Sequence, residues 1–264
     1  MPFNLPGTLV PLYALFNPRL LHPHITVADI RQLDFAALRR AGYRGAIFDK
    51  DNCLTAPHKD TLVPELEDAW TDCLTTFGPS NVLIVSNSAG TTVDPGQFQA
   101  ESVSHHLRAR VLLHTAYKPA YAAASAARAY FASLPSPLEP RELVVVGDRV
   151  LTDIVLARRL AQPDTFPARI AVRFASLRDL LSGRKQRSGD GPLAVLTTGV
   201  WTRESMLFRR AESALVRAFE HFSPEAKAER EGFEERFVKR SVVEAQEEVR
   251  EYRFGRPWQW VGHR

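Results

Sequence analysis

Only two cysteines, Cys53 and Cys73, occur in the 264 residues. That excludes a disulfide-stapled secreted scaffold and leaves a reducing compartment or a disulfide-independent fold. Cys53 reads as a small packing residue rather than a reactive thiol. Long apolar runs are missing as well. Met1 to Val27 is apolar, but Pro2, Pro6, Pro11, Pro18 and Pro23 interrupt it, and a spanning helix needs about 20 apolar residues in a row. The same segment is poor in charge. Its first acid comes only at Asp29, and Arg19 is its one formal positive charge, so the Arg-rich pattern of a transit peptide is absent. The eight histidines show no metal-ligand spacing, and His105-His106 reads as a helix surface. Basic residues are not interleaved with aromatics as in single-strand binders, so no nucleic-acid partner is expected. There is no internal repeat.

What is present is an alternation of short apolar runs with helical stretches. Hydrophobic residues make up 45% of the chain, enough to bury a core. Strands are expected at 43–49, 82–87, 110–114, 143–148 and 168–174, and helices near 63–77, 95–107, 119–133 and 151–161. This pattern predicts an α/β fold, a Rossmann-like doubly wound parallel sheet with helices on both faces. The chain divides into an apolar N-terminal segment (1–30), a catalytic domain (31–183), an exposed loop (184–192), an amphipathic helical region (193–222) and a charged tail (223–264).

Asp49-Lys50-Asp51-Asn52 follows the apolar run Gly45-Ala46-Ile47-Phe48 directly. Packing does not require two carboxylates there, whereas strand ends in an open α/β sheet are where ligands bind. A calcium loop is excluded, because Leu54 stands where that loop needs its sixth-position glycine. A solvated turn is the plain alternative for this motif taken alone. Three further signals follow in order: Ser86-Asn87-Ser88 after the run Val82 to Val85, Lys118 before Pro119, and Gly147-Asp148 with Asp153 after Leu143 to Val146. Each is weak by itself. Together they form a carboxylate pair, a hydroxyl, an ammonium and a second acid pair, three of the four at strand ends.

This ordered set resembles the haloacid dehalogenase-like phosphatase superfamily. Phe48 to Thr55, the Tyr117-Lys118-Pro119 step and Gly147 to Asp153 narrow the resemblance to the phosphatidylglycerophosphate phosphatase family, its fungal mitochondrial branch most of all. Leu196 to Ser205 also looks characteristic of that branch. The resemblance spans roughly residues 1–212 and leaves out the charged tail. Asn52 and Cys53 replace the glycine and threonine usual in the wider superfamily.

The resemblance implies a magnesium-dependent phosphatase that converts phosphatidylglycerophosphate to phosphatidylglycerol, a step toward cardiolipin. Asp49 would be the nucleophile that forms an aspartyl-phosphate. Asp51 would protonate the leaving alkoxide and then activate water. Ser86, Asn87 and Lys118 would bind the phosphoryl group. Asp49, Asp148 and the backbone carbonyl of Asp51 would hold Mg2+, with Asp153 orienting Lys118 or a metal-bound water. An acid at Asp51 argues against an ion pump, which carries threonine there. It also argues against a dehalogenase, which has no alkoxide to protonate.

Only short segments follow Asp51 and Lys118 at the two usual cap-insertion points, so an uncapped site is expected. An open site suits a substrate that brings its own bulk, such as a lipid headgroup in a membrane. Two regions are candidates for a peripheral membrane contact. One is the N-terminal Leu9, Leu12, Leu15 and Phe16. The other is a basic amphipathic helix from Trp201 to Phe222, with Arg203, Arg209, Arg210 and Arg217 and an apolar stripe of Phe208, Ala211, Leu215, Ala218 and Phe222. The plainer reading of that stripe is a seam against the domain or another subunit, and a homo-oligomer is expected. Trp258 and Trp260 in the tail are possible anchors. The expected location is the matrix side of the inner mitochondrial membrane. Two alternatives stay open: an uncapped phosphatase acting on phosphoprotein or polynucleotide ends, and an inactive lipid-binding or assembly scaffold.

Overall fold

The computed structural model describes residues 18–163, 191–199, 201 and 206–243. Six parallel strands form one sheet: β1 (Ile25–Val27), β2 (Gly45–Phe48), β3 (Val82–Ile84), β4 (Arg110–Val111), β5 (Leu143–Gly147) and β6 (Leu193–Thr197), in the order β1-β6-β5-β2-β3-β4. The helices are α1 (Phe35–Arg40), α2 (Glu67–Phe77), α3 (Phe98–Leu107), α4 (Tyr121–Ala132), α5 (Val155–Leu160), α6 (Met206–Phe222) and α7 (Pro224–Phe237). The arrangement is Rossmann-like, as expected.

Strand alternation divides the interior into two cores. Ala46 and Phe48 of β2, Val82 and Ile84 of β3, Val144 and Val146 of β5 and Val195 of β6 point to one face. They meet Phe35 and Leu38 of α1, Trp70 and Cys73 of α2, Val103 of α3 and Phe237 of α7. Ile47, Leu83, Leu143, Val145 and Ala194 point the other way, onto Ala127 and Phe131 of α4, Val155 and Leu156 of α5 and Val216 of α6. Trp70 anchors the first core. Its ring stands edge-on to Phe48 at 5.1 Å, and its indole N–H donates to the Leu107 carbonyl at 2.8 Å. The chain leaves β2 toward β3 and β4, then crosses back to β5 on the other side of β2. The end of β2 is therefore the topological switch point, where such sheets open a crevice.

Two strands were not expected. β1 lies in the apolar N-terminal segment. β6 occupies 193–197, within the region read as helical. All five of its residues are buried, and it pairs with both β5 and β1. A five-residue apolar run carries no periodicity that separates strand from helix, so pairing partners decided it. The helical region proper begins at α6. There the helix does pack on the domain, but through Glu212 and Val216, which are buried, while Leu215 and Ala218 of the expected stripe are exposed. Residues 212 and 216 share a helix face one step round from 215 and 218. The side chains of Phe208, Arg209, Arg210, Ala211 and Phe222 lie outside the described residues. So do Arg203, the expected strand 168–174, most of the loop 184–192, Leu9, Leu12, Leu15, Phe16 and the tail with Trp258 and Trp260.

Candidate active site

The sheet register brings the motifs together. β2 pairs with β5 through Phe48 and Val146 and with β3 through Phe48 and Ile84. Asp49, Asp148 and Ser86 thus emerge at one edge. The Asp49 N–H donates to the Val146 carbonyl at 2.9 Å, which extends the ladder to the acid itself.

Lys118 lies between two of the acids. Its Nζ donates to Asp49 Oδ1 and to Asp153 Oδ1, both at 2.7 Å, and the side chain is buried. Burial works against the Lys118 ammonium, but Asp153 and Asp49 outweigh it and hold its pKa above the ordinary lysine range. Burial pushes the Asp49 carboxyl upward, with Lys118 opposing the shift and Asp153 adding to it. The Lys50 N–H donates to Asp49 Oδ1 at 2.8 Å and fixes the carboxylate plane. Lys118 itself is held by its neighbours. Its N–H donates to Asn87 Oδ1 at 2.6 Å, and Asn87 Nδ2 donates back to its carbonyl at 3.4 Å. Arg159 donates to the carbonyl of Pro119 and packs over the Tyr121 ring. The carboxamide of Asn87 thus bridges to the Lys118 backbone.

Asp51 sits at the mouth and is about one-third exposed. Its carboxylate accepts from Lys50 Nζ at 2.7 Å, from the His58 N–H at 3.0 Å and from Ser88 Oγ at 3.2 Å. Asn52 follows with φ of +59°. Asparagine tolerates this left-handed turn better than other side-chain-bearing residues, which accounts for Asn where the wider superfamily uses glycine. Ser86 is fully buried, and its Oγ lies 3.0 Å from Ser88 Oγ. Cys53 is buried, its thiol pushed well up by burial and the neighbouring acids.

Asp49, Asp148 and Asp153 each offer a carboxylate oxygen, all within 4.8 Å of one another. Both Asp153 oxygens are engaged, Oδ1 by Lys118 and Oδ2 by the Arg149 N–H at 3.1 Å. Asp49 and Asp148 are therefore the carboxylates suited to hold an ion. A set of hard oxygen donors fits magnesium. Asp153 packs this closely because residue 147 is glycine. A Cβ there would run into the Asp153 side chain.

Sequence reasoning missed four participants. Lys50 is fully buried, and its ammonium bonds Asp51 and the Lys59 carbonyl; its place between two acids was the available signal. Ser88 was part of the serine motif but had no assigned role. His114 is buried, with Nε2 3.0 Å from the Ser86 carbonyl and Nδ1 2.7 Å from that of Ala116. The Glu212 carboxylate of α6 lies 3.4 Å from the N–H groups of both Val150 and Leu151, beside the second acid motif. Nothing near Glu212 in the chain announces that contact. After Asp51 and after Lys118 the described chain carries no inserted domain, only a short turn-rich segment and α4.

The model of the family described as mitochondrial PGP phosphatase matches residues 5–164, which holds every motif above and stops short of the 196–205 string. A relative from Arabidopsis thaliana, named phosphatidylglycerophosphate phosphatase 1, chloroplastic/mitochondrial, is 38% identical over 138 residues, 52% of this chain and 38% of that protein. Its namesake from Chlamydomonas reinhardtii, named chloroplastic, is 40% identical over 150 residues, 56% of this chain and 53% of that one. A mitochondrial phosphatidylglycerophosphatase of Saccharomyces cerevisiae is 32% identical over 154 residues, 58% of this chain and 81% of that protein. The chain thus spans about half or less of the plant and algal relatives it matches. No solved structure matches. With more than half of its length matched, the chain belongs to the mitochondrial PGP phosphatase family.

Proposed function

We propose that this protein is a magnesium-dependent phosphatase that hydrolyses phosphatidylglycerophosphate to phosphatidylglycerol. The observation that carries the reading is the convergence of Asp49, Asp51, Ser86, Lys118 and Asp148 on one open sheet edge, in a chain whose relatives are named for that reaction. Asp49 attacks phosphorus in line and forms an aspartyl-phosphate as the P–O bond to the glycerol breaks. Asp51 gives its proton to the departing alkoxide, then takes one from the water that cleaves the aspartyl-phosphate. Lys118 offsets charge on the transferring group, Ser86 donates to a phosphoryl oxygen, and Asp153 keeps Lys118 aimed. Bound through Asp49, Asp148 and the Asp51 carbonyl, magnesium would lessen the repulsion between nucleophile and phosphate.

The proposed setting is the matrix side of the inner mitochondrial membrane, bound peripherally. Two relatives are named as mitochondrial, and among the described residues no helix is long and apolar enough to cross a membrane. Self-association is also proposed, and exposed Leu215 and Ala218 on α6 support it. The test is phosphate release from phosphatidylglycerophosphate compared with a phosphopeptide, 3′-phosphorylated DNA and a soluble aryl phosphate. Preference for the lipid supports the reading. Faster release from peptide or DNA moves the enzyme to another substrate, and no release from any of the four leaves a scaffold.

A further inference from the structure

Four large hydrophobic side chains are exposed among the described residues: Val93, Phe98, Leu113 and Leu215. The first three lie on the connections that follow β3 and β4, at the C-terminal edge of the sheet. β4 runs parallel to β3, with Ile84 opposite Val111. Leu113 therefore stands two residues past β4 as Ser86 stands two past β3, at the edge that carries the site. Val93 lies in the connection that follows the serine motif. Phe98 opens α3, the helix that returns from that same edge. The loop 88–98 packs on the β4 exit, where the His114 N–H donates to the Gly90 carbonyl at 2.8 Å. The first turn of α3 also meets the segment after Asp51, where Gln99 Nε2 reaches Asp60 at 3.4 Å.

The backbone is shaped to hold Phe98 outward. The Asp94 carboxylate accepts from the N–H groups of Gly90, Gln99 and Ala100 at 3.0, 3.0 and 2.8 Å, and this stiffens the loop. Gly96 and Gln97 both take left-handed conformations, with φ of +76° and +61°. The Phe98 ring lies so close over Gly96 that a Cβ there would fall 2.7 Å from Cε2. The ring is nonetheless 74% exposed, with Leu113 at 50% and Val93 at 45%. A left-handed backbone at a non-glycine position and exposed apolar side chains each cost free energy in water, and such features cluster at surfaces that bind a partner. Lys59, beside the same turn, and Arg149, after Asp148, are also exposed. The mouth thus carries apolar groups on the β3–β4 side and, beside the partly exposed Asp51 and Asp60, the cations Lys59 and Arg149.

We propose that Val93, Phe98 and Leu113 form the membrane-docking rim of this enzyme. They enter the interface of a bilayer while Lys59 and Arg149 face anionic headgroups. The proposal rests on the phospholipid-phosphatase reading above, because a substrate embedded in a bilayer requires this sheet edge to face the membrane. Docking through the rim points the open site at the headgroup layer without a spanning helix.

The test uses the full chain, vesicles of phosphatidylcholine containing phosphatidylglycerophosphate, and a short-chain phosphatidylglycerophosphate dispersed as monomers. Phe98→Ser should weaken vesicle co-sedimentation about tenfold, the scale of withdrawing one large apolar side chain from a nonpolar phase. Val93→Ser, Phe98→Ser and Leu113→Ser combined should weaken it about 100-fold or more, and Phe98→Trp should preserve it. Hydrolysis of vesicle substrate should fall with binding, while turnover of the short-chain substrate stays at the wild-type rate. Unchanged vesicle binding by the triple variant overturns the proposal, and so does equal loss on both substrates. If the triple variant loses only self-association, the rim is a contact between copies and the proposal is again overturned. A wild-type protein that binds vesicles but hydrolyses neither form of the lipid instead overturns the phosphatase reading.

Discussion

Lys118, held between Asp49 and Asp153 at 2.7 Å each, links the proposed nucleophile to a second buried acid. Asp49→Asn should abolish turnover, because an amide cannot form the acyl-phosphate. Asp51→Asn should still bind substrate but lose about 10²–10⁴-fold in rate, the usual worth of a positioned acid–base group. Steady-state phosphate release checks both, and near-normal turnover by Asp49→Asn would rule out the covalent route. Gly147 offers a subtler test. Gly147→Ala places a methyl group against Asp153, so Asp153 must move and Lys118 with it. Turnover should drop about 100-fold, the scale of an ångström-sized misplacement, with the protein still folded by circular dichroism. Wild-type turnover in Gly147→Ala would show that Asp153 does not aim Lys118. The acids, Ser86 and Lys118 were legible because strand ends are recognisable in sequence. Asn87 was read as a phosphate ligand, and its carboxamide also clamps the Lys118 backbone, which the sequence did not announce. Sequence names a polar residue near a site but not the direction in which it points.

At the scale of elements, the N-terminal segment, α5, α6 and α7 meet around a buried polar cluster. His22 Nε2 lies 3.6 Å from Glu220, which also pairs with Arg230 at 2.8 Å, and Arg158 donates to the His22 carbonyl at 2.9 Å. Burial first and Arg158 second lower the His22 pKa to about 4, despite Glu220 and Glu229. His24 is also lowered, by burial. An unfolded histidine titrates near pH 6.5. Between about pH 6.5 and pH 4 the unfolded chain therefore binds a proton that the folded chain does not. Stability should fall as pH drops through that window, on the order of 2–3 kcal/mol for His22 alone. Urea midpoints from pH 7 to pH 4 check this, and His22→Gln should flatten part of the slope. An unchanged slope would show that His22 does not report burial. None of this cluster was visible in sequence, since its members come from segments far apart in the chain. β6 escaped notice for a related reason: a short apolar run takes its conformation from the strands that flank it.

For the whole molecule, an acidic pocket at an open edge predicts dependence on a small, hard cation. Chelation should remove activity and magnesium should restore it, while calcium should substitute poorly because its looser coordination misplaces the reacting groups. Asp148→Ala should lower magnesium affinity and rate together, measured by phosphate release across a metal titration. Full activity in excess chelator would exclude the metal. The net charge of +4 favours approach to an anionic surface, and raising salt should weaken vesicle binding, since surface charges are screened over about 10 Å at 0.1 M.

By itself the sequence determined the fold class and the chemical inventory. Buried parallel strands must be short apolar runs, and acids at their ends break that pattern in a readable way. Two acids after β2, a serine after β3, a lysine after β4 and two acids after β5 already specify an order of contacts along a sheet edge. Only the tertiary structure decided which strands flank that edge, that α6 buries Glu212 and Val216 while Leu215 and Ala218 stay exposed, and that Phe98 is held outward. Those outcomes depend on which surfaces remain to be covered once the sheet has formed. That competition is settled among residues far apart in the chain, which local pattern does not record.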